Sequence, residues 1–152
     1  MNTRSLLLSA LVAGAVLGTL ANLPVLNLFN CFLCLWIWLG GIFAVSLYNR
    51  YERNRTKTAE ASATVGQGAG IGALAGVVGV VVGAVVYAVT SFITTPMMNQ
   101  LAKLLEIDMG GQQLEFLPMF GVFLCGNMFF YPIFGAIGGL LGAGVFWKKP
   151  QA

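Results

Sequence analysis

The stretch Gly68-Ala-Gly-Ile-Gly-Ala-Leu-Ala-Gly-Val-Val-Gly-Val-Val-Val-Gly-Ala-Val-Val-Tyr-Ala-Val-Thr-Ser-Phe-Ile-Thr94 decides the fold class of this chain. It contains neither a charged side chain nor a proline, and Pro96 follows it closely. The hydrocarbon core of a bilayer is about 30 Å thick, and a helix needs about 20 apolar residues to cross it. The stretch therefore predicts one membrane-spanning helix, ended by Pro96.

Two further uncharged runs flank this one. The first run is long enough for two crossings, and its middle contains Pro24 and Asn27, which favour a turn. The last run is longer than one crossing needs, so we expect a kink near Pro132 or a short entry segment before about Asn127. The predicted spans are about 5–21, 30–48 and 68–94, with a fourth within 117–147.

The composition excludes a water-soluble protein. Hydrophobic residues make up 58% of the 152 residues and charged residues only 9%, against about 25% charged in ordinary soluble domains. The continuous apolar runs favour helices over the alternating strands of a membrane barrel. The predicted fold is an all-α integral membrane four-helix bundle that forms a single transmembrane domain over residues 1–152.

The two halves of the chain resemble each other. Gly40-Gly41 precedes Tyr48 and Arg50 with the same spacing by which Gly138-Gly139 precedes an aromatic and a basic residue. The pattern predicts two tandem hairpins, as in transporters with parallel repeats; shared glycine-rich composition is the competing explanation. The hairpins cover about 5–49 and 67–147, and a basic cytoplasmic linker covers about 50–66.

The distribution of Lys and Arg predicts the orientation. Seven basic residues fall on the side of both termini: Arg4, Arg50, Arg53, Arg55, Lys57, Lys148 and Lys149. The other side holds Lys103, so the positive-inside rule places both termini in the cytoplasm of a bacterium, with the chain in its inner membrane. Four cations in the linker attract anionic lipid headgroups and are too few for a nucleic-acid site.

Two segments have competing interpretations. Arg4, the apolar run after it and Thr19-Leu20-Ala21 resemble a signal peptide, although we expect this segment to be retained as the first span. Met97, Leu101, Leu104 and their neighbours are spaced as in a short amphipathic helix lying in the membrane interface, ended by Gly110 and Gly111. A lid over a pore or partner site is the other interpretation of that helix.

Glycines four residues apart are the strongest packing signal. Small residues at this spacing let two helix backbones approach closely, so van der Waals contact replaces the hydrophobic drive that lipid removes. We expect them to join the third and fourth spans; an oligomerisation face or a pore lining is the alternative. The predicted helix-packing residues are Gly72, Gly76, Gly79, Gly83, Gly135, Gly138, Gly139 and Gly142.

The three cysteines are candidates for redox chemistry. Cys31 and Cys34 form a Cys-x-x-Cys pair near a helix start, which lowers a thiol pKa, and Cys125 is predicted on the same outer side. Packing as small apolar residues is the alternative. The chain has no histidine, so we expect no metal ligands, no catalytic residues and no cofactor.

Several of these motifs together resemble a family of small uncharacterised four-helix bacterial membrane proteins. The resemblance lies in Asn30-Cys31-Phe32-Leu33-Cys34-Leu35-Trp36, in Gly40-Gly41 with the aromatic and basic exit, and in the glycine-rich residues 68–83. Family members often carry more cysteine between the asparagine and the tryptophan, and this departure argues against a strict metal role. The resemblance implies no activity.

The absence of ionisable residues from the predicted spans disfavours proton-coupled or ion-coupled transport. We therefore expect a non-enzymatic accessory or assembly subunit whose glycine-rich helix faces pack against partner membrane proteins and lipid, for example at the edge of an energy-transducing complex. A small oligomeric channel or transporter, which needs a homo-oligomer, is the alternative. A thiol oxidoreductase acting at the outer face is the third hypothesis.

Overall fold

The regular structure of the chain is entirely helical wherever the computed structural model describes it, over residues 2–22, 35–57, 62–105 and 116–146. These ranges contain four helices: α1 (Thr3–Asn22), α2 (Leu35–Thr56), α3 (Val65–Leu104) and α4 (Phe116–Phe146). Three helical segments are long and apolar enough to span a membrane: Thr3–Asn22, Val65–Thr94 and Leu124–Val145. The predicted all-α class is confirmed, and three of the four predicted spans, the first, third and fourth, are confirmed as long and apolar enough to cross a membrane. Among the described residues, the helix that contains most of the predicted second span, Leu35–Thr56, does not meet this criterion.

Local signals fix where the helices begin and end. Asn2 caps α1, since its Oδ1 accepts a hydrogen bond from the backbone N–H of Arg4 at 3.0 Å. Thr64 and Gln67 form a reciprocal capping box at the start of α3. Lys57 follows α2 with a φ of 54°, and this left-handed residue ends the helix.

The first part of the predicted linker over 50–66 is helical, because α2 continues through Thr56. Arg55 pairs with Glu52 one turn earlier at 2.9 Å, and the Thr56 hydroxyl donates to the Glu52 carbonyl oxygen at 2.8 Å. These bonds extend the helix beyond its apolar part. The predicted second span begins at residue 30, and residues 30–34 lie outside the described residues.

The predicted break at Pro96 is wrong. The helix α3 runs through Pro96 to Leu104. The segment expected to form a separate interfacial helix is therefore a continuation of the helix that contains the third span, Val65–Thr94. Proline removes one backbone donor but leaves the preceding and following helical bonds available. Gly110 and Gly111, the predicted end of that helix, lie outside the described residues. Similarly, α4 contains Pro132 within one helix.

Contacts between the helices show their relative directions. Gly14 and Gly18 of α1 meet successive turns of α3, so these helices are parallel, and Gly68 to Gly76 meet α4 in reverse order, so α3 and α4 are antiparallel. Both α2 and α3 pack on all three other helices, whereas α1 and α4 do not touch within the described ranges. Gly138 and Gly142 of α4 meet Trp38 and Ile42 of α2, so α2 is parallel to α4. The start of α1, the end of α2 and the start of α3 therefore lie at one end of the molecule.

The interior combines many alanines with a few large side chains such as Ile37 and Ile71, and large apolar side chains cover the outside. Ala13, Ala44, Ala63, Ala75 and Ala143 have no exposed surface, whereas many large apolar residues of the same helices are exposed. This distribution is expected when the solvent is lipid, because close backbone approach then stabilises the fold more than burial of large side chains does. Hydroxyls within the spans donate to carbonyls of their own helix: Ser9 to Leu6, Thr19 to Ala15 and Thr90 to Val86.

Candidate functional site

Glycine backbones of α3 and α4 are in direct contact. A Cβ built on Gly72 would lie 3.0 Å from the Cα of Gly139 and still closer to the carbonyl of Gly135, and a Cβ on Gly76 would meet the backbone of Tyr131. Gly139 in turn lies against Gly68. Four of the predicted residues, Gly72, Gly76, Gly135 and Gly139, thus lie where only glycine permits this separation of the two helices.

The two other predicted glycines of α3 lie against α1: Gly83 faces α1, and Gly79 lies between α1 and α4. Gly83 leaves room for the Asn22 side chain of α1, whose Nδ2 would be 2.5 Å from a Cβ at position 83, and Gly79 lies between Tyr131 and Gly14. Asn22 Nδ2 donates to the Gly18 carbonyl oxygen at 2.8 Å, so its amide is satisfied within α1. The expectation that these glycines join the third and fourth spans is wrong for Gly83, because Gly83 lies on the face of α3 that contacts α1.

The predicted glycines of α4 also divide between two helices. Gly135 and Gly139 face α3, whereas Gly138 and Gly142 face α2, where added Cβ atoms would lie 2.9 Å from the Cα atoms of Trp38 and Ile42, respectively. Trp38 further stacks on Phe134 of α4 with ring centroids 6.2 Å apart. Adjacent residues of a helix point about 100° apart. Gly138 and Gly139 therefore contact two different helices, α2 and α3, at the same level along α4.

Sequence reasoning left four packing glycines of the first half of the chain, Gly14, Gly18, Gly40 and Gly41, out of the predicted set. A Cβ on Gly14 would lie 2.6 Å from both the Ala75 carbonyl oxygen and the Val78 Cβ, and Gly18 meets α3 one turn later. Gly41 lies against the Gly135 to Gly139 backbone of α4. The four-residue spacing of Gly14 and Gly18 carries the same signal as that of Gly72 and Gly76, and it was sufficient to find them.

A polar cluster ties together the ends of α1, α2 and α3. Asn49 Oδ1 accepts a hydrogen bond from the Ala63 backbone N–H at 2.7 Å, which holds the start of α3 against α2. Glu52 is only 8% exposed, and its Oε2 accepts from Arg55 Nη2 at 2.9 Å. The hydrogen bond from Arg55, and then the Ser5 hydroxyl, lower the pKa of Glu52 below its ordinary value of 4.5.

Two cavities lie along α2. A polar one of about 290 Å³ is lined by Ser46, Asn49, Arg50, Arg53 and Asn54. An apolar groove of about 340 Å³ between α1 and α2 is lined by Ala13, Val16, Leu17, Leu20, Trp36, Leu39, Gly40 and Phe43. Gly40 lets the Leu17 side chain of α1 lie directly against the backbone of α2.

The candidate redox residues are only partly described. Cys125 is an exposed free thiol on α4. Cys31 and Cys34 lie outside the described residues. No group of three potential metal ligands occurs within the part of the chain that the structure describes.

Replacement of Gly72 by alanine is expected to destabilise the fold, since the new methyl group collides with backbone atoms of α4 that cannot rotate away. We expect a loss of about 1–3 kcal/mol, the usual cost of overpacking, measured as a lower midpoint of thermal unfolding in mild detergent. Gly70→Ala is the matched control, because open space surrounds that position. Equal midpoints for the two variants would contradict the assigned interface.

The ion pair at Glu52 predicts a dependence of stability on pH. A lowered pKa means that the fold favours the ionised carboxylate, so its stabilisation is present above pH 4.5 and is lost as the pH falls through the lower folded-state pKa. The wild-type chain is expected to exceed Glu52→Gln in unfolding midpoint at pH 7 and to lose this advantage on acidification. A difference that is the same at pH 7 and at pH 3 contradicts this role.

Comparison with known proteins provides no relative from which a role for these residues can be transferred. No family model, no curated protein and no solved structure matches the chain. The resemblance to small four-helix bacterial membrane proteins accordingly stays a prediction. The function has to be inferred from the arrangement of the residues themselves.

Proposed function

We propose that this chain is a non-enzymatic accessory or assembly subunit of the bacterial cytoplasmic membrane. In this proposal its four helices form a transmembrane bundle of two tandem hairpins with both termini in the cytoplasm. The convergence of basic residues supports this orientation. Arg4 lies in the first turn of α1, Arg50 and Arg53 lie in the last turns of α2, and Lys57 follows α2. These two helix ends belong to the same side of the molecule. Positive charge concentrated at one end is typical of a cytoplasmic face.

Reporter fusions test this orientation. A cytoplasm-active reporter fused after Glu60 or after Ala152 is expected to be active, and a periplasm-active reporter inserted at Asp108 is expected to be active as well. The reverse pattern at any of the three positions contradicts the topology. Extraction of the untagged chain into buffer without detergent contradicts the membrane assignment altogether.

Close packing within the chain supports the accessory role over a pore through a single copy. Backbones of α3 and α4 touch at Gly72, Gly135 and Gly139, and α1 touches α3 at Gly14. A water-filled path needs separated helices with polar groups facing the gap. Since the predicted glycines are occupied by helices of the same chain, contact with a partner requires another surface.

The surface that fits a partner helix is a row of exposed valines on α3, namely Val77, Val81, Val85 and Val89. These residues are four apart and therefore lie along one side of the helix. Valine has essentially one side-chain rotamer in a helix, so a partner that packs on this row immobilises little side-chain entropy. The exposed face of α1, by contrast, carries the more flexible Leu7, Leu8 and Leu11.

Purification in mild detergent followed by intact-complex mass spectrometry tests the proposed role. We expect a larger membrane protein to co-purify with the chain in a fixed ratio. Val81→Trp places a bulky ring on the valine row and is expected to reduce the amount of this partner at least tenfold. Leu11→Trp, on the exposed face of α1, is the matched control and is expected to retain it.

The alternatives predict different results in the same experiment. A homogeneous homo-oligomer without a second protein contradicts the accessory role and favours the small channel or transporter. Retention of the partner by Val81→Trp contradicts the assigned surface. For the outer-face thiol oxidoreductase, the structure contributes the exposure of Cys125, which is insufficient without a second thiol nearby.

A further inference from the structure

The two cavities of α2 lie on the same side of the helix. Trp36, Phe43 and Arg50 are seven residues apart, and so are Leu39, Ser46 and Arg53. Seven residues make about two helical turns, so the members of each set lie on the same side of α2. The first members line the apolar groove and the last members line the polar cavity. From Gly40 to Arg50 the helix rises about 15 Å, which is half of a 30 Å hydrocarbon core.

The polar cavity has the chemistry of a site for a phosphate group. Two guanidinium groups, from Arg50 and Arg53, line it together with the Ser46 hydroxyl and two side-chain amides, and none of the described residues that line it is a carboxylate. Guanidinium groups donate paired hydrogen bonds that match phosphate oxygens. Glu52, the nearest acid along α2, is engaged by Arg55.

Asn49 adds a donor that lacks an acceptor. Its Oδ1 is held by the Ala63 backbone N–H at 2.7 Å, which fixes the orientation of the amide. Its Nδ2 is buried and has no hydrogen-bond partner within the part of the chain that the structure describes. The residue is only 4% exposed and lines the cavity. Buried amide donors are normally satisfied, and an anionic oxygen in the cavity is a suitable acceptor.

The apolar groove lies closer than this cavity to the middle of the predicted membrane, because its α2 residues, Trp36 to Phe43, precede Ser46 to Asn54 along the helix. Its walls come from α1 and α2. Val16, Leu39 and Phe43 at its margins are each more than two fifths exposed. A flexible hydrocarbon chain fits such a groove because it has no polar group to satisfy.

We propose that α2 binds one anionic glycerophospholipid of the cytoplasmic leaflet, with its phosphate in the polar cavity and one acyl chain in the groove between α1 and α2. The assignment rests on the proposed membrane orientation, which places the end of α2 at the cytoplasmic surface. A lipid explains both cavities at once, because its charged group and its hydrocarbon are joined at the required separation. A free phosphate ion explains only the first.

The test is titration of the detergent-purified chain with phosphatidylglycerol, phosphatidylcholine or inorganic phosphate, followed by native mass spectrometry. We expect one phosphatidylglycerol molecule to bind, at least tenfold more tightly than phosphatidylcholine. Each guanidinium near an anionic headgroup contributes about fivefold in affinity, so Arg50→Gln/Arg53→Gln is expected to weaken binding by about twentyfold or more. Arg4→Gln/Lys57→Gln removes the same net charge outside the cavity and is expected to bind normally.

A second pair of variants tests the groove. Val16→Trp fills it and is expected to weaken phosphatidylglycerol binding about tenfold, whereas Leu11→Trp on another face of α1 leaves it unchanged. Equal losses for both double charge variants show nonspecific attraction and overturn the site. Inorganic phosphate that displaces the lipid at millimolar concentration, together with normal binding by Val16→Trp, identifies a free-phosphate site and overturns the lipid assignment.

The outcome is separable from the test of the proposed function. A chain that shows the predicted topology and retains its partner but binds no phosphatidylglycerol overturns this inference alone. Reporter activities that place the end of α2 outside the cytoplasm overturn the proposed orientation and, with it, the assignment to the cytoplasmic leaflet. A variant that fails to fold is recognised by a lower midpoint of thermal unfolding in the detergent used for the lipid titration.

Discussion

Direct contact between the backbones of α3 and α4 is the interaction on which the rest of the structure depends. Lipid solvates large apolar side chains as well as a protein interior does, so their burial contributes little to helix association. The free energy of helix association has to come from many short van der Waals contacts. Such contacts require positions without side chains where the two helices touch. Gly68, Gly72 and Gly76 on one helix, and Gly135 and Gly139 on the other, provide that line.

The central position of α3 follows from this contact. Glycines on a second face of the same helix receive α1, and those on a second face of α4 receive α2, so one kind of contact organises three interfaces. Helix ends with basic side chains are thereby collected at one end of the molecule, next to the polar cluster of Asn49 and Glu52. The glycine contacts thus also bring together the basic side chains that we propose to bind a lipid headgroup.

Individual elements show why some sequence expectations were wrong. Pro96 looks like a helix end because proline lacks a donor, yet α3 continues beyond it, since the loss of a single bond does not terminate a helix whose other bonds are retained. Charged residues after Asn49 look like a linker, yet Glu52 and Arg55 form a pair across one helical turn. Gly83 was assigned to the wrong neighbour because glycine spacing identifies a face without identifying what covers it.

The sequence by itself determined the class of structure and the segments that suit a membrane, because both depend on the number and spacing of apolar and charged residues along the chain. It also marked most of the packing glycines, since a four-residue interval places them on one side of a helix. Only the tertiary structure decided which helices these glycines join, and only it aligned the two cavities of α2. Such contacts depend on the direction and rotation of each helix relative to its neighbours, which local spacing does not specify.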